Sequence, residues 1–135
     1  MLDKTDFAII EELTANGRIT MKELGAKVHM TAQAVRLRVE KLEDAGIILG
    51  YAAITDPAKL GRPVQAYINI YTKSTNHAPM LSFLEDHQKY IERKHKISGE
   101  GCYLVELRFP SNAELNTFLD LLNEYANYKL SLVIG

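Results

Sequence analysis

The segment from Thr20 to Ile48, TMKELGAKVHMTAQAVRLRVEKLEDAGII, constrains this chain more than any other. Thr20-Met21-Lys22-Glu23 is a capping box, in which a threonine hydroxyl and a glutamate three residues later satisfy the free N–H groups of a helix start. The helix it opens buries Leu24 and Val28. Val28-His29-Met30-Thr31 is a tight turn, and Thr31 caps another helix. There Val35, Val39 and Leu42 recur at i, i+4 and i+7, one face of a 3.6-residue period, and Gly46 ends it. Two helices joined by a few-residue turn, the second one capped and basic, describe a helix-turn-helix.

A further helix precedes this pair. Asp3 caps it, Asp6 adds favourable charge to its first turn, and Ile9, Ile10 and Leu13 form its stripe. Asn16-Gly17 stops it, and Phe7 falls at the edge of the stripe. Charge is segregated along these helices. Residues 1–17 hold Lys4 against Asp3, Asp6, Glu11 and Glu12. Residues 18–41 hold Arg18, Lys22, Lys27, Arg36, Arg38 and Lys41 against Glu23 and Glu40. The formal charge of the whole chain is only −1, so any attraction to nucleic acid must come from this local excess.

The third helix needs only its stripe for a core. At about 100° per residue, Gln33, Leu37 and Glu40 lie opposite Val35 and Val39. Arg36 flanks that face on one side, Ala34 and Lys41 on the other, and Arg38 sits nearer the stripe. A recognition helix in the major groove presents such residues to base edges and phosphates. Gln suits adenine, Leu a thymine methyl, and Arg guanine or phosphate. The predicted DNA-contacting set is Lys22, Thr31, Gln33, Ala34, Arg36, Leu37, Arg38 and Lys41. Arg38 is placed equally well to pair with an acid of the first helix.

The rhythm changes after Gly46. Ile47 to Ile54 is apolar and β-prone, Asp56-Pro57 turns the chain, and Leu60-Gly61-Arg62-Pro63 reads as a linker. Val64, Ala66, Ile68 and Ile70 alternate with Gln65, Tyr67, Asn69 and Tyr71, a strand period. A helix is expected from about Ala78 to His87, and strands over Ile91–Ser98 and Tyr103–Phe109. Ser111 to Glu114 reads as a capping box opening a helix striped by Leu115, Phe118, Leu119 and Leu122. Tyr128–Ile134 closes as a strand. The order β-α-β-β-α-β is the ferredoxin-like arrangement. One sheet face is then covered by helices, and the other, where Tyr67 and Tyr71 point, needs a partner or must tolerate water.

These segments together resemble the Lrp/AsnC family of feast-famine transcription regulators. The resemblance rests on Leu2-Asp3, Asp6, Ile9-Ile10 and Leu13; on Gly17-Arg18-Ile19-Thr20 and Glu23-Leu24; and on Arg38-Val39, Leu42-Glu43 and Gly46-Ile47-Ile48. It continues through Gly50-Tyr51, Leu60-Gly61, Ser98-Gly99 and Tyr103-Leu104. It implies an N-terminal DNA-binding domain and a C-terminal αβ-sandwich that dimerises, often assembles into octamers and often binds an amino acid. The implied effector site is the hairpin Ser98, Gly99, Glu100, Gly101, Cys102 and Tyr103. Two positions depart from the pattern. His29 stands where the family's turn usually has glycine. Cys102 stands where the hairpin often has a second acid, and a thiol supplies no fixed negative charge for an ammonium group.

The expected class is α+β, with a winged-helix-like helix-turn-helix domain over residues 1–50 and a strand and linker over 51–63. A ferredoxin-like dimerisation and effector domain occupies 64–135. The expected partners are double-stranded DNA, a second copy of the chain and an amino-acid effector. The second reading is an architectural protein that bends or wraps DNA without an effector. An enzyme is the rival class, but no nucleophile–base pair, phosphate loop or metal cluster is legible. His77, His87 and His95 lack metal-ligand spacing, so no metal or cofactor is predicted. Arg93-Lys94-His95-Lys96 reads as a charged edge strand that blocks aggregation, with DNA contact as the alternative. One cysteine among 135 residues, no apolar run of membrane length and an acidic N-terminus fit a cytoplasmic, nucleoid-associated protein.

Overall fold

The computed structural model describes residues 1–135, and the chain divides into two compact units, Met1–Ile54 and Thr55–Gly135. The first unit contains α1 (Lys4–Ala15), α2 (Met21–Val28) and α3 (Ala32–Asp44). Each starts at the residue that the capping chemistry marks. Asp3 and Asp6 form a reciprocal box at α1, with Asp6 N–H donating to Asp3 at 2.8 Å. Thr20 and Glu23 do the same at α2, both bonds at 3.1 Å. Glu23 is held below the usual carboxylate pKa first by the Thr20 backbone N–H. The core is Ile9, Leu13, Ile19, Leu24, Val35, Val39 and Leu42, with Ile10 half-buried beside it. Phe7 lies outside it and is 60% exposed.

The segment after α3 departs from the sequence expectation. Ile47 to Ile54 forms no strand. A strand needs a neighbour to take its backbone groups, and this chain offers none here. Instead the N–H groups of Ile47 and Ile48 return to the Leu42 carbonyl, closing α3. Leu49, Tyr51 and Ile54 remain exposed.

The second unit contains β1 (Val64–Thr72), α4 (Ala78–Asp86), a short 3-10 turn (Gln88–Tyr90), β2 (Ile91–Lys96), β3 (Tyr103–Phe109), α5 (Asn112–Leu122) and β4 (Ala126–Leu132). The sheet is antiparallel in the order β2-β3-β1-β4, so the expected ferredoxin-like α+β arrangement is present. Ala66, Ile68 and Ile70 on β1 and Val105, Leu107 and Phe109 on β3 face the helices. There they join Met80, Phe83, Leu84, Leu115, Phe118, Leu119 and Leu122 in one core. β2 ends at Lys96 rather than Ser98, and β4 runs two residues earlier than the alternation suggested. The α5 cap is also only half of a box. Ser111 accepts from Glu114 N–H at 3.2 Å, but the Glu114 carboxylate accepts from the Tyr90 hydroxyl at 2.8 Å instead of turning back.

Candidate functional site

The helix-turn-helix is held by a close backbone approach that needs glycine at one position. A Cβ on Gly25 would lie 2.5 Å from the Met30 carbonyl oxygen and 3.3 Å from the Thr31 carbonyl. Met30 N–H donates to the Gly25 carbonyl at 2.8 Å, the six-to-one bond of a Schellman ending. His29 takes the left-handed conformation that ending requires, φ 60° and ψ 45°. The sequence reading passed over Gly25. Its signal is a glycine inside a helical pattern, one position after a core leucine, which marks close packing rather than a breaker.

Thr31 then caps α3, its hydroxyl accepting from Ala34 N–H at 3.1 Å. Beyond the cap, Gln33, Arg36, Leu37, Glu40 and Lys41 are exposed, and Ala34 is half-buried. Leu37 leaves 51% of its surface in solvent on a helix that has a core available to it. Lys22, on the first turn of α2, is exposed as well. None of Lys22, Arg36 and Lys41 has a carboxylate within ion-pair distance, so all three charges are available to a partner. Lys27, by contrast, reaches Glu12 at 3.7 Å.

Arg38 is paired with the two acids at the start of α1. Its Nη1 donates to both Asp3 oxygens at 2.8 and 2.6 Å and to Asp6 at 3.2 Å. These bonds hold the Asp3 carboxyl below its usual range and raise the guanidinium further. The reason is positional. Arg38 precedes the buried Val39 and points along the stripe toward the start of α1, where two carboxylates already sit for capping. Arg38 thus ties α3 to α1 and leaves the set of free cations.

A groove of about 280 Å³ beside α3 is lined in part by Gly17, Met21, Arg36, Glu40, Glu43 and Tyr51. Burial, then the Glu43 carboxylate, pushes the Tyr51 phenol above its usual pKa. Two carboxylates on its rim make this groove a poor seat for phosphate.

The implied effector hairpin in the second unit is shaped by two glycines at positive φ, Gly99 (139°) and Gly101 (92°). A Cβ on Gly101 would lie 2.8 Å from the Ile70 carbonyl oxygen, and that oxygen accepts from Cys102 N–H at 2.7 Å. The loop is therefore pinned to β1. Asn69 Nδ2 donates to the Glu100 carbonyl at 2.8 Å. The Glu100 carboxylate accepts from the Tyr71 hydroxyl at 2.8 Å and faces Lys129 Nζ at 3.6 Å, and both hold it below its ordinary pKa. Ser98 is exposed. Cys102 points to the Thr72 hydroxyl, Sγ to Oγ1 3.3 Å, which lowers the thiol pKa. Thr72 meets His77 Nε2 at 3.0 Å, and His77 Nδ1 meets the Tyr103 hydroxyl at 3.0 Å. Sequence spacing did not foresee this chain of contacts, because the pairing of β1 with β3 brings the end of β1 beside Cys102 and Tyr103, and the turn into α4 returns His77 to them. It gathers no cluster of three metal-ligating side chains.

Residues 2–48 match the model of a winged helix-turn-helix DNA-binding family. The chain is 49% identical to the transcriptional regulator LrpA of Bacillus subtilis over 135 residues, covering 100% of this chain and 99% of the relative. The solved structure of LrpC from the same organism superposes with a TM-score of 0.92 at 30% identity, covering 100% of this chain and 96% of that one. A transcriptional regulator of Neisseria meningitidis, solved as a complex with L-Met, superposes with a TM-score of 0.88 at 29% identity, covering 100% and 91%. With a capped basic α3 exposed on one unit and the β-α-β-β-α-β sheet in the other, the chain belongs to the Lrp/AsnC family of helix-turn-helix transcriptional regulators.

Proposed function

We propose that this regulator binds double-stranded DNA as a homodimer, with α3 of each copy in successive major grooves of a pseudo-palindromic site. The observation that carries the reading is the outer face of α3. Gln33, Leu37, Arg36 and Lys41 are exposed there, and neither cation has an internal carboxylate partner. Gln33 and Leu37 are the base-reading residues, suited to adenine and a thymine methyl. Arg36, Lys41, Lys22 and the Thr31 hydroxyl grip phosphates, and half-buried Ala34 lets the backbone approach. Arg36→Ala and Lys41→Ala each lower the slope of log K against log salt by about 1 and leave the fold intact. Wild-type affinity and slope in both variants would exclude this face.

The outer face of the sheet over its central strands β1 and β3 supplies the dimer contact. Tyr67, Tyr71 and Leu104 lie there half-buried among Gln65, Glu106 and Arg108, which already bond to one another. A fragment beginning near Val64 should therefore remain dimeric in light scattering. The hairpin Ser98–Tyr103 is the effector site, and the L-Met complex of the Neisseria regulator makes methionine the first ligand to test. Glu100 offers one carboxylate, already engaged by Tyr71 and Lys129, and Cys102 offers none. The native response to a free amino acid is accordingly weak, and Cys102→Asp strengthens it by adding a charge partner for the ammonium group. A large, stereoselective thermal shift of the unmutated protein by one amino acid would overturn this part of the reading. The site of action is the cytoplasmic nucleoid, where a fluorescent fusion of the chain should colocalise with DNA.

A further inference from the structure

β2 lies at the edge of the sheet, paired with β3 alone. Every side chain from Glu92 to Lys96 is exposed. Edge strands commonly carry a charge that discourages pairing with another chain. β2 carries Arg93, Lys94, His95 and Lys96 in succession, more than protection requires. Its one acid, Glu92, sits at a bulge in the ladder and is paired with Arg62. Arg93 reaches Glu106 only at 4.0 Å, with 76% of its side chain exposed. Lys94 and Lys96 have no ion-pair partner. Beside Glu92 and Glu106, the unit carries further carboxylates on α4 (Glu85 and Asp86) and α5 (Glu114 and Asp120), and neither helix has a lysine or arginine.

Geometry arranges these cations in two rows. Arg93 and His95 pair opposite Glu106 and Leu104 on the outer face, while Lys94 and Lys96 pair opposite Val105 and Tyr103 on the helix-side face. Residues two apart on a strand lie about 6.8 Å from one another. The free edge adds backbone N–H donors between the rows, which suit phosphate oxygens. Other occupants fit less well. Residues 92–96 include no exposed apolar side chain to anchor a protein interface. Antiparallel pairing with β2 of another copy would set these cations directly against one another.

We propose that β2 is a second, sequence-independent phosphate-binding strip, contacting the backbone of duplex DNA through Arg93, Lys94 and Lys96. The inference rests on the DNA-binding reading of α3 for its ligand but uses none of its residues. The test is the salt dependence of full-length protein on two duplexes of arbitrary sequence. One spans about two helical turns and the other on the order of 150 bp. In the triple variant Arg93→Gln/Lys94→Gln/Lys96→Gln the slope of log K against log salt on the long duplex should fall by up to about 3. The charge-keeping pair Lys94→Arg/Lys96→Arg should retain the wild-type slope. Arg36→Ala and Lys41→Ala, measured alongside, report separately on α3. Loss there with no change in the triple variant overturns the β2 strip alone. Loss in the triple variant with none in either Arg36→Ala or Lys41→Ala retains the strip and removes α3. A triple variant that aggregates while its soluble fraction binds with the wild-type slope would show that the charges only guard the edge. Stronger competition by polyglutamate than by DNA at equal charge concentration would assign the strip to an acidic protein and overturn the proposal as well.

Discussion

Gly25→Ala offers the sharpest test of how the helix-turn-helix is held. On an exposed helix position this change stabilises by up to about 1 kcal/mol, through helix propensity and a less flexible unfolded chain. Here the new methyl would lie 2.5 Å from the Met30 carbonyl oxygen, and the obstacle is backbone. Ordinary carbon–oxygen contacts begin near 3.3 Å, so the turn must open by about 1 Å. Overpacking of that kind costs about 1–3 kcal/mol. Opening also weakens the 2.8 Å bond from Met30 N–H to Gly25, worth about 1 kcal/mol. The net expectation is a loss of about 1–3 kcal/mol. For a unit of this size that lowers the melting temperature by roughly 5–15 °C. Because Thr31 follows the turn directly, α3 moves with it, and DNA affinity should fall about tenfold. Calorimetry and DNA titration of the full chain measure both. Ala26→Gly on the exposed side of α2 is the control. It should cost about 1 kcal/mol by propensity and leave the turn unchanged. A Gly25→Ala protein that melts at or above the wild-type temperature and binds DNA normally would refute the steric reasoning.

His29→Gly should stabilise the first unit by about 0.5–1 kcal/mol, because φ 60° strains any residue with a Cβ; unchanged or lower stability in a denaturant titration would show that the His29 side chain compensates. Gly101→Ala should disrupt the 97–103 hairpin, since its Cβ would meet the Ile70 carbonyl at 2.8 Å, and faster amide exchange at Cys102 would report it. Glu100 has a folded pKa depressed below its ordinary 4.5, so its contribution to stability is fully present above that value and is lost as pH falls through the folded pKa. Tyr71→Phe removes the largest cause and should move the Glu100 titration, followed by carboxyl NMR, back up toward 4.5.

Local chemistry made much of this chain legible. The caps at Asp3, Thr20 and Thr31 bond in the structure as their sequence motifs imply, because a capping interaction spans three residues and needs no distant partner. The stripe Val35, Val39 and Leu42 and the alternation Ala66, Ile68 and Ile70 are buried for the same reason: periodicity alone assigns a face. Those patterns were enough to reach the three-helix unit, the order of the second unit and the exposed face of α3. Contacts between residues far apart in sequence were not legible. Arg38 is placed to pair with an acid of α1, and which acids it meets follows only from the approach of α3 to Asp3 and Asp6. Ile47–Ile54 has the composition of a strand, but a strand exists only where another backbone receives its hydrogen bonds, and within this chain none does. Glu114 left its cap for Tyr90, 24 positions away. Cys102 acquired its surroundings through the docking of its loop on Ile70 and Thr72. Short-range hydrogen bonding and face periodicity are written in the order of residues, whereas the choice among competing partners for a charge, a hydroxyl or a free backbone edge is made only when distant segments pack.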